Sequence, residues 1–227
     1  MFQANLLAMS LPEQITIFRQ SLQEQMPIYG IDLSFDAQNL LAAYYELLLR
    51  WNERLHLVAP CAPEEFAGRH VLESLALLDH LPEGATVADI GSGAGLPIIP
   101  CLVVRQDITA TLFESSQKKS VFLREALKTG KALDRARIVA NRFEDATPPK
   151  ADFITSRALD NFGSQLEPLI HWTPAGVTLL LFGGENLREP LTSLKYDVNE
   201  YLLPGSHGRF LFRVDLGLKH NTQVEDE

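Results

Sequence analysis

Three glycines at alternate positions, directly after an apolar stretch that ends near an acid, are the residues of this chain best suited to hold a ligand. The stretch 87–97 reads VADIGSGAGLP. Because Gly91, Gly93 and Gly95 lack a Cβ, they can adopt positive φ and bring the backbone close to a bound molecule. Asp89 supplies an acceptor at the end of the apolar strand. The spacing differs from the G-x-G-x-x-G pattern that grips a pyrophosphate.

A second acid follows the next apolar segment of the chain. Residues 108–113 (ITATLF) lead into Glu114, about 20 residues beyond the glycine turn. Doubly wound folds place the acid that accepts from ribose hydroxyls at this position. The order of strand, glycine turn, strand and acid therefore predicts a site for S-adenosylmethionine. An ordinary glycine-rich turn is the alternative interpretation of the glycines alone.

Two later loops are expected to open at the same edge of the sheet. Residues 141–145 (NRFED) follow an apolar strand, so Phe143 can lie against a purine while Glu144 or Asp145 accepts from its amine. The alternative places Phe143 in the core and the acids at a helix cap. Arg157 ends another strand, where its guanidinium could fork onto a phosphate or carboxylate; a surface arginine is the alternative.

Other polar residues carry a weaker signal. Lys118 and Lys119 fall in the first turn of a predicted helix, where the dipole disfavours cations, which suggests contact with phosphates; solvated lysines are the alternative. His70 has apolar neighbours and is interpreted as structural. The sequence has no Ser-His-Asp order, HExxH or CxxC, so hydrolytic and zinc chemistry have no support, and we expect no metal.

Composition indicates a globular protein with one main domain and an extension. The 227 residues are 46% hydrophobic and 22% charged. Because no apolar run approaches the length of a membrane span and the first residues lack the order of a secretory signal, we expect a cytoplasmic protein without a membrane partner. Cys61 and Cys101 are the only cysteines, which excludes a disulfide framework.

The charge pattern bears on nucleic-acid binding. The net charge of −9 argues against a protein that grips RNA with its whole surface, yet residues 81–157 carry slightly more Lys and Arg than Asp and Glu. A local basic rim on an acidic body can still bind a polyanion, with a steep dependence on salt. Unplanned variation among surface charges is the alternative.

The chain divides into a helical part and an alternating part. Apolar residues at three- and four-residue steps in 40–55, and a helix starting at Pro63, predict an N-terminal helical cap over 1–81. Residues 82–218 alternate short strands with amphipathic helices, which predicts an α/β domain with a mainly parallel sheet. The tail 219–227 is expected to be disordered.

Seven strands are predicted in the second part. Five are expected at 86–90, 108–113, 136–140, 152–155 and 177–182, and two more, antiparallel at one edge, at 201–205 and 209–214. Ser115 or Ser116 is expected to cap the helix after Glu114, and Gly130 to end it as a left-handed residue.

Several separated motifs, taken in order, are far more specific than any one. They are LRWNER at 49–54, RHVLESL at 69–75, the 89–97 turn, Glu114 and Ser115 with Lys118 and Lys119, RFED at 142–145, and SRA at 156–158. On these motifs, which span roughly residues 38–215, the chain resembles the bacterial small-subunit rRNA methyltransferases of the glucose-inhibited division protein B family.

The resemblance implies a Rossmann-like class I fold. It also implies an enzyme that transfers a methyl group from S-adenosylmethionine to N7 of a guanine in 16S rRNA, with the free RNA or a ribosomal particle as substrate. It implies that Gly91 and Leu96 touch the cofactor, that Phe143 and Glu144 frame its adenosine, and that Arg157 lines the cleft without acting as a base. Residues expected near the RNA are Arg69, Lys118, Lys119, Arg142 and Arg209. We expect a monomer.

The chain departs from that family's pattern at three places. It has His56, Leu57 and Val58 where members usually carry Asn-Leu-Thr, Ile98 in place of a glycine, and Phe182 in place of a lysine. Phe182 and the acidic surface leave open a relative that binds cofactor or RNA without catalysis. The acid-rich surface also permits a methyltransferase redirected to a small molecule or protein.

Overall fold

The computed structural model describes residues 9–157, 162–194 and 196–217, and the predicted tail 219–227 lies outside them. Within the described residues, seven strands form one sheet in the order β3-β2-β1-β4-β5-β7-β6. The strands are β1 (Thr86–Ile90), β2 (Thr109–Phe113), β3 (Ala136–Val139), β4 (Phe153–Ser156), β5 (Thr178–Gly184), β6 (Asp197–Leu202) and β7 (Arg209–Asp215).

The first five strands are parallel, and β7 runs antiparallel to both β5 and β6. This confirms the prediction of a mainly parallel sheet with an antiparallel edge. One predicted boundary is wrong, because β6 covers Asp197–Leu202 rather than 201–205. Most of its side chains are exposed at the sheet edge, so its polar sequence lacks the apolar alternation that marks the other strands.

Helices surround the sheet and precede it. They are α1 (Leu11–Gln25), α2 (Phe35–Leu55), α3 (63–80), α4 (Ile98–Val104), α5 (Gln117–Thr129), α6 (Phe162–Trp172) and α7 (Arg188–Thr192). Helix α3 changes its winding along its length. It is α-helical at Pro63–Glu65, π-helical at Phe66–Leu72, α-helical again at Glu73–Leu75 and 3-10 at Ala76–His80.

Helix α2 carries the predicted apolar stripe and links the N-terminal helices to the glycine turn. Ser34 caps it, since its hydroxyl accepts from the amide of Ala37 at 3.2 Å. On the buried face, the Tyr44 hydroxyl donates to the backbone carbonyl of Ala94 at 2.7 Å. The turn that follows β1 is therefore braced from the N-terminal helices.

Helix α5 starts as predicted but ends differently. The Ser116 hydroxyl accepts from the amide of Lys119 at 3.3 Å, so Ser116 is the cap. The prediction for Gly130 is wrong, because its φ is −78° and the left-handed residue is Lys131. A Cβ on Gly130 would lie 2.9 Å from Cγ2 of Val103, so close packing explains this glycine.

Two apolar clusters lie on the two faces of the sheet. The first joins α1, α2 and α3 to α4, α5 and one sheet face, and the second packs the other face against α6 and α7. Since the N-terminal helices share a core with the sheet, the division after residue 81 stays a prediction about the chain's organisation. Within the described residues there is no helix that could span a membrane and no cluster of metal-ligating side chains.

Candidate functional site

A cavity of about 830 Å³ opens at the carboxyl edge of the parallel strands. It lies at the end of β1, where the strand order reverses, with β2 on one side of β1 and β4 on the other. Open α/β sheets bind ligands at such a switch point. The predicted site residues in its wall are Arg69, Gly91, Gly93, Leu96, Glu114, Lys119, Arg142, Phe143, Glu144, Arg157 and Arg209.

The glycine turn has the predicted positive φ angles, but its glycines have different roles. Gly91, Gly93 and Gly95 have φ of +68°, +49° and +83°. A Cβ on Gly93 would meet only the Gly91 carbonyl at 3.6 Å and a Glu114 oxygen at 4.0 Å, whereas one on Gly95 would lie 2.3 Å from Cδ1 of Ile99. Gly93 therefore keeps the cavity open, and Gly95 allows close packing instead of lining the cavity.

Glu114 ties the glycine turn to the start of α5. Its side chain is 7% exposed, and its Oε2 accepts from the amide of Gly93 at 2.9 Å while Oε1 accepts from the amide of Ser116 at 2.7 Å. A carboxylate has about four acceptor positions, so lone pairs remain for a ligand. A buried carboxylate at the end of β2, beside an open glycine turn, fits the ribose of a nucleoside cofactor.

Asp89 lies beneath the cavity rather than in its wall. It is fully buried, and neither carboxylate oxygen has a hydrogen-bond partner within the part of the chain that the structure describes. Burial raises the pKa of Asp89 well above its usual value, and the nearby Glu114 carboxylate raises it further. The sequence-based expectation of a direct cofactor contact therefore finds no support in this geometry.

Phe143 combines the two roles that the sequence left as alternatives. Its ring is buried and meets Trp172 edge-on, with the ring centroids 5.4 Å apart, and it also lines the cavity. The adjacent Glu144 is exposed at the cavity wall. The loop after β3 thus presents an aromatic surface and an acceptor on the same side as Glu114.

Arg157 lines the cavity, but its guanidinium is held by α3. Nη1 donates to the Ser74 hydroxyl at 3.0 Å and to the His70 carbonyl at 3.3 Å, and Nη2 donates to the Arg69 carbonyl and, at 3.2 Å, to Glu73. Burial lowers the pKa of Arg157 to about 10. Of the two groups that the sequence analysis gave as partners for Arg157, a phosphate or a carboxylate, the structure shows a carboxylate, that of Glu73.

Glu73 joins a second arginine to this cluster. The carboxylate is fully buried, and Nε of Arg209 donates to its Oε1 at 2.8 Å. On the other side of Arg157, the guanidinium carbon lies 5.6 Å from the centroid of the Phe182 ring. Phe182 is buried in the cavity wall, at the position where the resemblance leads one to expect a lysine.

The remaining basic residues lie at the rim. Arg69 pairs with Glu65, Nη1 to Oε1 at 2.7 Å, and both side chains are substantially exposed. Arg142 is exposed, while Lys119 is partly buried. Lys118 is exposed on the first turn of α5 and lies outside the cavity wall, so the structure does not bring it into the site.

Three residues in or beside the cavity had no site role in the predictions from sequence. Tyr44 braces the glycine turn, Glu73 binds two arginines, and His70 lines the cavity although it was interpreted as purely structural. Burial, together with the positive charges of Arg157, Arg69 and Arg209, lowers the pKa of His70 to about 3, so the imidazole is neutral. Glu73 and His70 lie in the 69–75 motif, which was the available signal.

The sequence of this chain also matches known proteins over most of its length. The family model for rRNA small subunit methyltransferase G matches residues 37–199. The chain is 37% identical over 156 residues to a ribosomal RNA small subunit methyltransferase G of Neisseria meningitidis, covering 68% of this chain and 72% of the relative. It is 36% identical over 203 residues to the protein of the same name from Xanthomonas campestris, covering 87% and 92%.

Solved structures show the same fold at low sequence identity. A methyltransferase from Pyrococcus furiosus is 15% identical, with a TM-score of 0.56 over 79% of this chain and 99% of that one. An RNA methyltransferase from Salinibacter ruber, solved with S-adenosyl-L-homocysteine, is 16% identical, with a TM-score of 0.50 over 69% and 95%. The architecture is therefore that of the class I methyltransferases.

Proposed function

This chain belongs to the rRNA small subunit methyltransferase G family, and from that premise we propose that it transfers the methyl group of S-adenosylmethionine to N7 of a guanine in 16S rRNA. The observation that carries the proposal is the open glycine turn beside the buried Glu114 carboxylate at the carboxyl edge of the sheet. The cavity of about 830 Å³ lies within the range of about 300–1,000 Å³ typical of small-molecule sites.

Each part of the cavity wall suits one part of the cofactor. Glu114 would accept from the ribose hydroxyls, and Phe143 with Glu144 would frame the adenine. The backbone at Gly91 and Gly93, with Leu96, would border the methionine portion. Asp89 and Gly95 would support the turn from below, because neither lines the cavity.

The chemistry asks for orientation rather than proton transfer. When bound, S-adenosylmethionine supplies a methyl group on a positively charged sulfur. Guanine N7 already presents an in-plane lone pair, so the protein needs no general base. The chain's contribution is to align the base in the cavity and to exclude water from it. Arg157 and Phe182 would form the wall beside the base, and Arg157 would serve there without exchanging a proton.

Charge at the cavity rim favours a polyanionic substrate. Arg69, Lys119, Arg142 and Arg209 line the cavity of a chain whose net charge is −9. An acidic body with a basic mouth directs phosphates to the mouth and gives binding that weakens steeply as salt rises. Lys118, exposed on the same helical turn as Lys119, would extend this surface.

We also propose that the chain acts in the cytoplasm as a monomer. An rRNA substrate places the reaction in the compartment where ribosomal subunits are made. Sedimentation of the purified protein with and without S-adenosylmethionine tests the monomer, and a dimer in both conditions contradicts it.

The direct test uses isolated small ribosomal subunits, naked 16S rRNA and S-adenosylmethionine with a labelled methyl group. We expect label in RNA from one or both substrates and 7-methylguanosine after nuclease digestion. Cofactor binding without any transfer would instead support a non-catalytic relative, which Phe182 favours. Transfer to a small molecule or protein, with none to RNA, would support the redirected enzyme.

A further inference from the structure

The buried carboxylate of Glu73 binds two arginines that come from distant parts of the chain. Its Oε2 accepts from Nη2 of Arg157 at 3.2 Å, and its Oε1 accepts from Nε of Arg209 at 2.8 Å. Arg157 follows β4 and Arg209 starts β7, while Glu73 itself is fully buried on α3. All three line the cavity. One carboxylate thus holds both guanidinium groups against the helix.

The π-helical turn of α3 supplies further acceptors for Arg157. In an α-helix the amide of Glu73 would bond the carbonyl of Arg69, but here it bonds the carbonyl of Gly68. The Arg69 carbonyl accepts from Nη2 of Arg157 instead, and the His70 carbonyl accepts from Nη1 at 3.3 Å. The end of the guanidinium that could fork onto a ligand therefore faces α3.

This orientation matters because of what arginine does to guanine. The commonest base-specific contact of an arginine is a fork onto O6 and N7 of guanine. A donor on N7 would occupy the lone pair that must accept the methyl group. An unrestrained Arg157 in the cavity wall would therefore bind the correct base in an unreactive way.

The charges around the cavity also favour a role for Glu73 in the reaction. Methylation at N7 leaves the guanine ring with a positive charge, which the positive Arg157 and Arg209 oppose. The Glu73 carboxylate offsets one of these charges at close range, and the neutral His70 adds none. Removing the Glu73 charge would thus penalise the reaction more than the initial binding of RNA.

We propose that Glu73 is a positioning residue for N7 methylation, which holds Arg157 and Arg209 against α3 so that neither guanidinium occupies the N7 edge of the target guanine. This inference rests on the proposed function, because it presumes that guanine N7 is the acceptor. It assigns Glu73 a role in selecting the reactive atom, through the arginines that it binds.

The first test compares kcat and KM for small ribosomal subunits. Glu73→Gln removes the charge and keeps the size, Glu73→Asp keeps the charge, and Glu46→Gln is the matched control, since Glu46 pairs with the exposed Arg50 on α2. We expect Glu73→Gln to lower kcat about tenfold or more while KM is unchanged or lower. Glu73→Asp should recover part of kcat, and Glu46→Gln should match the unaltered protein.

The second test measures the competing contact itself. RNA transcribed with 7-deazaguanosine lacks the N7 acceptor, and its affinity is compared with that of ordinary RNA by filter binding. We expect Glu73→Gln to bind ordinary RNA more tightly than the 7-deaza RNA by about tenfold, the worth of one good bidentate base contact. The unaltered protein should bind both RNAs about equally.

The outcomes separate this inference from the proposed function. If the unaltered protein forms no 7-methylguanosine, the proposed function fails and the inference falls with it. If it does, and folded Glu73→Gln keeps its kcat or shows no preference for N7-containing RNA, the inference alone is wrong. Should Glu73→Gln not fold, Glu73→Asp decides by the same two readouts, because its shorter side chain holds Arg157 and Arg209 less firmly. We then expect Glu73→Asp to show a lower kcat and a preference for N7-containing RNA, and unchanged values for both would contradict the inference.

Discussion

Replacing Glu114 by glutamine tests the cofactor site at its most sharply defined residue. Two backbone amides, those of Gly93 and Ser116, donate to separate oxygens of the carboxylate at 2.9 and 2.7 Å. Glutamine offers one carbonyl oxygen and one NH₂ group, so one of the two amides loses its acceptor. The change also removes the negative charge to which ribose hydroxyls would donate.

The structure gives both effects a size. An amide left without its acceptor in a largely buried position costs about 1–3 kcal/mol of folding free energy, which corresponds to about 2–4 °C in Tm for each kcal/mol in a chain of this length. A hydrogen bond to a charged acceptor contributes about 1.5–3 kcal/mol, so we expect the Kd for S-adenosylmethionine to rise about 10- to 100-fold.

Isothermal titration with S-adenosylmethionine, beside thermal unfolding of the free protein, measures the two effects separately. Glu83→Gln is the control, since Glu83 is exposed in the turn before β1 and should change neither quantity. A folded Glu114→Gln protein that binds the cofactor as tightly as the unaltered protein would refute the assignment of Glu114 to the ribose.

Three further predictions follow from individual residues. Gly93→Val should abolish cofactor binding measured by titration, because a branched side chain at φ +49° would enter the cavity; unchanged affinity in a folded variant contradicts this. Because the folded state keeps the Asp89 proton to higher pH than the unfolded state, wild-type stability should fall relative to that of Asp89→Asn as pH rises above about 4. Urea unfolding of both proteins at pH 4.5 and 7.5 measures this, and a stability difference that is the same at both pH values contradicts it. The pKa of His70, lowered to about 3, keeps its ring neutral, so its NMR signals should not titrate between pH 8 and 5; a titration midpoint near 6.5 contradicts this. The contribution of His70 to stability should persist above the unfolded pKa of about 6.5 and decline as pH falls towards 3.

Local sequence patterns predict most of the fold. Apolar stretches of strand length, separated by amphipathic helices, locate β1 to β5, and the glycine spacing predicts the positive φ at Gly91, Gly93 and Gly95. Edge strand β6 was misplaced because its exposed side chains show no apolar pattern. Gly130 was misread because the contact that requires a glycine comes from Val103, on another helix.

The sequence predicted which residues line the cavity better than it predicted the contacts that those residues make. Spacing and the resemblance identified Glu114, Phe143 and Arg157 as cavity residues, and the structure places all three in the wall. The partners of Arg157 could not be foreseen, because Glu73 lies 84 residues away in sequence and the helix there takes a π turn. Burial of a residue such as Asp89 likewise depends on packing from several distant elements.

The most direct measurement is a crystal structure of the chain with S-adenosylhomocysteine, the demethylated product. We expect the ribose hydroxyls within hydrogen-bond distance of the Glu114 carboxylate, the adenine against Phe143, and the sulfur facing the part of the cavity bordered by Arg157 and Phe182. A ligand bound outside this cavity, or a ribose held by other residues, would contradict it.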